Sequence, residues 1–238
     1  MRSGKKISVI IPTLNEETAI SKVIADIPNW VDVIIISDNG SQDSTLKIAK
    51  EMGAKIIEGT GGYGSACLAG IEALPDYLPK CDIVVFLDGD YSDYPEQMDA
   101  LVDPIISKKA KLTIGSRRLG NARAGSLTLQ QVFGNWLACF LIKLFWGVKY
   151  TDLGPFRAVD KLALDRLRMS DRAFGWTVQM QLHAIQYDVA TIEVPVDYRP
   201  RIGHSKISGT VRGTFLAGYA IIGTILRSGI AQLFRKTK

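Results

Sequence analysis

Short runs of β-branched and other apolar residues alternate, along the first half of the chain, with segments of helical periodicity. The apolar runs are residues 7–11, 31–36, 55–57 and 83–87, and the helical segments between them are residues 17–27, 43–52, 64–74 and 96–107. Runs that are apolar through most of their length are typical of strands covered on both faces. The sequence therefore predicts a doubly wound α/β fold, with a mostly parallel sheet flanked by helices.

The second half of the chain continues this pattern less regularly. Strands are predicted at residues 112–114, 156–159 and 191–196, and helices at residues 129–147, 176–187 and 210–234, the last as one or two helices. The chain has 238 residues, of which 47% are hydrophobic, and this is enough to bury one substantial core. We predict one domain over residues 1–209 and an amphipathic helical tail over residues 210–238.

Cysteine usage and the N-terminus indicate the compartment. The three cysteines lie in apolar or small-residue stretches without the paired spacing of zinc sites or disulfides, so we expect buried thiols at Cys67, Cys81 and Cys139. The first predicted strand begins at residue 7, too early for the apolar segment and cleavage site of a signal peptide. Both features predict a cytoplasmic protein in a reducing compartment.

The positive charge of the chain is concentrated at its C-terminal end. The formal net charge is +5, and residues 199–238 contain Lys and Arg residues but no Asp or Glu. Such a block is typical of contact with nucleic acid, with anionic lipid head groups or with solvent. Nucleic acid is not expected, because the usual aromatic stacking platforms do not accompany the basic residues.

The tail also has an apolar helical face, formed by Phe215, Leu216, Tyr219, Ile222 and Leu226. Its uninterrupted apolar run, residues 214–226, is shorter than the roughly twenty residues that cross a bilayer. This composition predicts a helix that lies peripherally on an anionic membrane surface. The alternative is a helix packed on the domain, or on a partner subunit of a homo-oligomer.

A second apolar helix is predicted at residues 129–147, where apolar residues recur in pairs: Val132, Phe133, Trp136, Leu137, Phe140, Leu141, Leu144 and Phe145. We interpret it as a core helix, since helices that are apolar around most of their surface are usually buried. If it were partly exposed, this helix and the tail would form a two-part apolar platform for a lipid chain.

Acidic residues follow the predicted strands at the points where the strands end. Asp38 follows the second strand, and the triplet Asp88-Gly89-Asp90 follows the fourth. The carboxyl ends of parallel strands meet at the ligand-binding edge of such a sheet. Crowded carboxylates repel one another, so a divalent cation that also binds a diphosphate is the simplest explanation of the cluster. Asp38 alone is equally typical of a turn or helix cap, or of a contact with a ribose hydroxyl or base N–H.

The glycine-rich stretch at residues 59–64 precedes a predicted helix, whose N-terminal amides could cradle a phosphate. The stretch lacks the Lys-Ser or Lys-Thr ending of a Walker loop, and its glycines do not follow the dinucleotide fingerprint. A tight connection between strand and helix is an equal alternative.

Seven motifs occur in the order found in family 2 glycosyltransferases. They are PTLNE at 12–16, SDNGS at 37–41, the glycine-rich stretch, DGD at 88–90, GSR at 115–117, DLGPFR at 152–157, and the spaced residues Arg201, Gly203, Ser205 and Lys206. The chain resembles this family, and especially its dolichyl- or polyprenyl-phosphate sugar synthases. The resemblance implies a GT-A nucleotide-sugar-binding fold, a UDP- or GDP-hexose donor, Mg²⁺ or Mn²⁺, and inversion at the anomeric carbon.

The resemblance also implies roles for individual residues. Those expected around the base and ribose are Pro12, Leu14, Glu16 and Asp38. Those expected to hold metal and diphosphate are Asp88, Gly89 and Asp90, with Asp90 as the principal metal ligand and Ser92 as a helper. Those expected to contact phosphates of donor or acceptor are Arg117, Arg201 and Lys206. Cations at these positions would stabilise negative charge on the leaving diphosphate.

One departure from the family's pattern bears on the acceptor. Related sequences commonly have a carboxylate in the helix after an aromatic-glycine pair, whereas this chain has the amides Gln179 and Gln181 there. A hydroxyl acceptor needs a general base, but a lipid phosphate is already anionic at neutral pH. The sequence therefore favours hexosyl transfer to a polyprenyl phosphate on the cytosolic membrane face.

Two alternatives stay open at this point. The first is a soluble family 2 transferase with a hydroxyl acceptor, for which Asp93, Asp152 or Asp171 could supply the base. The second is a non-catalytic scaffold that binds nucleotide sugars at a membrane. Loss of transfer or donor hydrolysis on Asp90→Asn substitution would exclude the scaffold.

Overall fold

A computed structural model of the protein describes residues 1–59, 61–203 and 211–236, with side chains omitted for 211–217 and 233–236. The strands are β1 (Ile7–Thr13), β2 (Val33–Asp38), β3 (Lys55–Glu58), β4 (Ile83–Phe86), β5 (Leu112–Ser116), β6 (Arg157–Asp160) and β7 (Thr191–Pro195). Each overlaps a strand predicted from the sequence, so the apolar runs located the sheet correctly.

The helices are α1 (Ile20–Asp26), α2 (Thr45–Glu51), α3 (Tyr63–Tyr77), α4 (Met98–Ile106), α5 (Leu129–Trp146), α6 (Lys161–Leu167), α7 (Trp176–Gln186) and α8 (Val211–Lys236), with a 3-10 turn at Pro95–Gln97. Sequence periodicity missed α6, which has only seven residues. A local contact explains its start, because the Asp160 side chain accepts a hydrogen bond from the Ala163 N–H.

The strands form one sheet in the order β3-β2-β1-β4-β6-β5-β7. Strands β3, β2, β1 and β4 are parallel, and β5 is parallel to β7. Strand β6 is antiparallel to both β4 and β5. The mostly parallel α/β prediction is therefore confirmed. The chain winds from β1 towards β3 on one side and returns to β4 on the other, which opens a crevice between the ends of β1 and β4.

Apolar clusters cover both faces of the sheet. Ile10 and Phe86 pack on one face with Trp176 of α7, and Ile11 packs on the other with Met98 of α4. These side chains are at most 1% exposed. Successive strand residues point to opposite faces, so two apolar layers require continuous rather than alternating apolar runs.

Helix α8 packs along α5 and α7. Ile225 is fully buried, and a Cβ added at Gly229 would lie 2.5 Å from the Phe145 ring, so glycine is what allows the helices to approach here. The tail around Ile225 and Gly229 therefore packs on the domain, which was the alternative to a helix on the membrane surface. The predicted boundary at residues 209–210 falls in a segment outside the described residues, so the division into domain and tail stays a prediction.

The interpretation of α5 as a core helix is wrong for one of its faces. Ala138, Cys139 and Ile142 are buried, but the opposite side exposes large apolar residues. Cys67 is also buried and Cys81 half-buried, and all three thiols are free, as expected. None of the helices, over the residues described, has a stretch both long and apolar enough to cross a membrane.

Candidate active site

The carboxyl ends of β1, β2 and β4 lie side by side. Thr13 is paired with Asp38 across β1 and β2, and its hydroxyl donates to the Asp38 carboxylate at 2.9 Å. Beyond β4, a Cβ on Gly89 would meet the Thr13 methyl carbon at 3.0 Å, so the glycine lets this loop lie against β1. The structure thus brings the predicted acidic strand ends to one edge.

Asp88 lies at the centre of this edge. The Tyr63 hydroxyl donates to its Oδ1 at 3.1 Å. Burial raises the pKa of the Asp88 carboxyl, against the opposing effects of the Tyr63 hydrogen bond and the Arg201 charge. A divalent cation here would offset the same desolvation. Sequence reasoning missed Tyr63, whose only signal was its place at the start of α3.

Both carboxylate oxygens of Asp90 have partners. The backbone N–H and hydroxyl of Ser92 donate to Oδ1 at 2.9 and 2.5 Å. Arg201 forms an ion pair with Oδ2. Ser92 therefore orients Asp90, and its role as a metal ligand stays a prediction. A cation binding at Oδ2 would compete with the Arg201 guanidinium.

The segment that holds Arg201 is tied to the acidic loop. The N–H of Arg199 donates to the Ser92 carbonyl at 2.9 Å, and its guanidinium lies 3.4 Å from the centre of the Tyr91 ring. Stacking of this kind fixes the segment beside the loop. The predicted phosphate ligand Lys206 lies outside the described residues.

Asp38 directs its carboxylate towards its own loop. It accepts from the N–H groups of Gly40 and Ser41 at 2.9 and 2.6 Å, in addition to Thr13. The turn interpretation accounts for these contacts, and a ribose contact stays a prediction. The next residue, Asn39, lines the crevice, and its Oδ1 has no hydrogen-bond partner among the residues described. Asn39 carried no separate signal in the sequence.

Arg117 is held in an ion pair. Its Nε and Nη2 donate to the two carboxylate oxygens of Asp152 at 2.8 and 2.7 Å, and Asp152 is 1% exposed. Burial lowers the pKa of Arg117, but the charge of Asp152 raises it by a larger amount, so the pKa is raised overall. The Asp152 N–H in turn donates to Glu193. A phosphate contact by Arg117 stays a prediction.

Two of the first amides of α3 are occupied by protein carbonyls and are not available to a phosphate. The N–H groups of Gly64 and Ser65 donate to the carbonyls of Ala173 and Arg172 at 3.1 and 3.0 Å. A Cβ on Gly64 would lie 2.1 Å from the Asp171 carbonyl oxygen. These contacts favour the tight-connection alternative, and they hold the segment before Phe174 against the start of α3.

Two adjoining clefts open at this edge of the sheet. Cleft 1, of about 320 Å³, is lined by residues that include Pro12, Leu14, Glu16, Asn39 and Gly89. Cleft 2, of about 550 Å³, is lined by residues that include Arg117, Thr128, Gln131, Leu153, Tyr198 and Ile221. Both clefts share Tyr63, Asp88, Asp90, Phe174 and Arg201. The site thus has two chambers that meet at the acidic pair and one arginine.

The acidic pair suits a divalent cation bound together with a diphosphate. Asp88 and Asp90 offer hard carboxylate oxygens on a wall common to both clefts. Mg²⁺ is commonly held by one or two carboxylates while substrate phosphates and water complete its coordination. In the described part of the chain, no three His, Cys, Asp or Glu side chains are grouped as a full metal site. The donor set therefore fits Mg²⁺ or Mn²⁺ with phosphate oxygens as further ligands.

Comparison with solved structures identifies the fold. Glucosyl-3-phosphoglycerate synthase of Mycobacterium tuberculosis, in complex with Mn²⁺, UDP and phosphoglyceric acid, superposes with a TM-score of 0.76 at 23% identity. The match covers 96% of this chain and 80% of that one. The fold is therefore the GT-A fold, as the resemblance implied.

Comparison with protein sequences identifies the family. A UDP-N-acetylglucosamine–dolichyl-phosphate N-acetylglucosaminyltransferase of Methanococcus voltae is 32% identical over 192 residues, covering 72% of this chain and 76% of that protein. An undecaprenyl-phosphate mannosyltransferase of Micrococcus luteus is 26% identical over 223 residues, covering 87% and 90%. The model of glycosyl transferase family 2 matches residues 8–165, which is more than half of the chain. The chain therefore belongs to glycosyltransferase family 2.

Proposed function

We propose that this protein transfers a hexose from a UDP- or GDP-sugar to a polyprenyl phosphate, using Mg²⁺ or Mn²⁺. The observation that supports a phosphate acceptor is the set of acidic residues that line cleft 2. These residues, within the described part of the chain, are Asp88 and Asp90, and both are assigned to the metal and diphosphate. A hydroxyl acceptor needs a further base, whereas a phosphate acceptor does not.

The other carboxylates considered as bases are poorly placed. Asp93 and Asp152 are not among the residues that line cleft 1 or cleft 2, and Asp152 is engaged with Arg117. Asp171 turns back on its own segment, where it accepts from the Ala173 N–H at 2.8 Å. These contacts favour an acceptor that is already anionic.

Four residues of the shared wall then have proposed roles. Asp88 and Asp90 would hold the cation, and a cation there would supply positive charge to stabilise the leaving diphosphate. Tyr63 orients Asp88 through its hydrogen bond. Arg201, at the junction of the clefts, is placed to bind phosphate oxygens of donor or acceptor. In-line attack by the acceptor oxygen at the anomeric carbon inverts its configuration.

The comparisons support parts of this proposal. Two of the relatives named above are polyprenyl- or dolichyl-phosphate sugar transferases, and the superposed structure holds Mn²⁺ and UDP. The proposed location is the cytoplasmic side of a membrane, with peripheral attachment to an anionic surface. The rival is a soluble transferase with a hydroxyl acceptor.

A donor-by-acceptor screen tests the proposal. Labelled UDP- and GDP-hexoses are incubated with polyprenyl phosphate or phosphoglyceric acid, with Mn²⁺ or EDTA, and products are extracted into organic solvent. We expect label in the organic phase only with metal and polyprenyl phosphate. The variant Asp90→Asn should lower the rate by about 10³-fold, and Asp99→Asn, at an exposed carboxylate of α4, should not. Product that stays in water with the hydroxyl acceptor would overturn the proposal.

A further inference from the structure

An exposed apolar stripe runs along α5. It consists of Leu129, Phe133, Trp136, Phe140 and Leu144, which are between 49% and 85% exposed. Their spacing of three and four residues keeps them on one side of the helix. Single exposed apolar residues are ordinary, but a contiguous row of large ones marks a surface that meets a partner.

The stripe is on a rigid, extended element. Thr128 and Gln131 form a capping box at the start of α5, and Gly147 ends it in the left-handed conformation, with φ of 73°. The stripe spans about 22 Å at the helical rise per residue. The rings of Phe133, Trp136 and Phe140 follow one another at centroid separations of 5.8 Å. Trp and Phe on one helix face are typical of helices that lie in the head-group layer.

The charges beside the stripe favour lipid over a second copy of this chain. Lys143 is the charged residue of α5 and is exposed. The neighbouring α8 has four basic residues and no acidic one, and its exposed residues include Tyr219, Leu226, Arg227 and Ile230. Pairing two copies across this face would bring basic residues together without acidic partners on either helix. Anionic lipid phosphates would neutralise them.

The stripe also begins at the acceptor side of the site. Thr128 and Gln131, on either side of Leu129 in the sequence, line cleft 2, and so does Ile221 of α8. A head group bound in cleft 2 would therefore have its apolar chain next to the first residue of the stripe.

We infer that the α5 stripe inserts into the head-group layer of an anionic bilayer and holds cleft 2 at the membrane surface. The inference rests on the proposed function and adds the surface through which the enzyme meets its acceptor. The principal membrane contact thus lies on α5, within the catalytic domain, and the exposed Arg227 lies on the neighbouring α8.

Trp136 provides a native reporter for the test. Tryptophan emission is recorded with vesicles of phosphatidylcholine, with and without phosphatidylglycerol, and with brominated acyl chains. We expect a shift to shorter wavelength and bromine quenching with the anionic vesicles. The variant Trp136→Phe, which keeps Trp30, Trp146 and Trp176, should lose most of this change. Equal responses of wild type and Trp136→Phe would overturn the inference.

A second pair of variants measures docking directly. Phe133→Ser combined with Phe140→Ser should weaken vesicle binding at least about tenfold, because two large apolar side chains no longer leave water. Leu162→Ser is the matched control, since Leu162 on α6 is 78% exposed but lies off the stripe. If wild type sediments as a dimer that the double variant dissociates, and vesicles do not bind, the stripe is a self-association face and the inference fails.

Acceptor chain length separates this inference from the proposed function. With a water-soluble, short-chain prenyl phosphate and no vesicles, the double variant should match the wild-type rate, and it should lose transfer to a long-chain acceptor in vesicles. If wild type transfers the sugar to the short acceptor but does not bind vesicles, the docking inference alone is overturned. Failure of wild type on both the short and the long-chain acceptor would overturn the proposed function itself.

Discussion

Cleft 1 and cleft 2 meet at the same acidic pair but are built in different ways. Cleft 1 rests on the ends of neighbouring parallel strands, which touch through short contacts such as Thr13 to Asp38. Cleft 2 is closed by loops and helices that come together from distant parts of the sequence, as the Arg117–Asp152 pair shows. The strand-end residues of cleft 1 follow from local sequence patterns, whereas the walls of cleft 2 depend on long-range contacts. Cleft 2 should therefore be the easier to disrupt on its own.

The largest expected effect comes from breaking the ion pair behind cleft 2. Asp152→Asn leaves Arg117 without its buried counter-charge, and we expect a loss of about 3 kcal/mol in the free energy of unfolding. Urea denaturation measures this loss. Asp165→Asn, which breaks the exposed Lys161–Asp165 pair on α6, should cost at most about 0.5 kcal/mol. Similar losses in both variants would contradict a structural role for the buried pair.

Removing the arginine shared by the clefts should separate metal binding from transfer. Arg201→Ala should slow transfer by about 10²-fold, because a cation at the phosphates is lost. It should also tighten Mn²⁺ binding without nucleotide, since Arg201 competes for Asp90. Electron paramagnetic resonance of free Mn²⁺ measures this binding. Arg118→Ala is the control, because Arg118 is exposed and is not among the residues that line either cleft. Weaker Mn²⁺ binding in Arg201→Ala would refute the competition.

A methyl group at the glycine-rich connection should disturb the wall shared by both clefts. Gly64→Ala would force a Cβ against the Asp171 carbonyl, and we expect about 2 kcal/mol of destabilisation. Gly134→Ala is the matched control, because a Cβ there has no atom within 4 Å and helix propensity should stabilise by up to about 1 kcal/mol. Thermal and urea unfolding check both variants. Equal stability of Gly64→Ala and wild type would show that the connection is loose.

The smallest effect should come from the hydroxyl that orients Asp88. Tyr63→Phe removes one hydrogen bond, worth about 1 kcal/mol of stability, and Asp88 loses the group that orients it, so we expect kcat to fall by about fivefold. Steady-state kinetics at saturating donor and metal measure it. Tyr77→Phe, near the other end of α3, should leave kcat unchanged. An unchanged kcat in Tyr63→Phe would remove Tyr63 from the site.

The sequence located cleft 1 because its signals are local. Strands covered on both faces produce continuous apolar runs, as at Ile10 and Ile11, and these runs mark where polar ends must follow. The close approach of the loop to β1 requires a glycine at position 89, and this glycine is visible in the sequence between two aspartates. Position after a strand was thus enough to place Asp38 and the triplet Asp88-Gly89-Asp90 at one edge, whereas Pro12 and Leu14 were expected there from the family resemblance.

The features that the sequence did not predict depend on long-range packing. An apolar helix such as α5 has the same composition whether its second face is buried or exposed. The sequence therefore favoured a core helix and left the exposure of residues such as Phe133 as the alternative. The sequence also allowed the first amides of α3 to bind a phosphate, but the N–H groups of Gly64 and Ser65 are bonded to the carbonyls of Ala173 and Arg172. Tyr63 acquired its role only through contact with Asp88, 25 residues away.

The account depends on Asp88 and Asp90 holding a divalent cation together with the donor's diphosphate. Calorimetric titration of UDP and GDP into wild type and Asp90→Asn, each with Mn²⁺ and with EDTA, tests this most directly. We predict that one nucleotide binds wild type with Mn²⁺, and that EDTA or Asp90→Asn weakens its binding at least about tenfold, or 1.4 kcal/mol. Equal affinity in all four conditions would contradict the account.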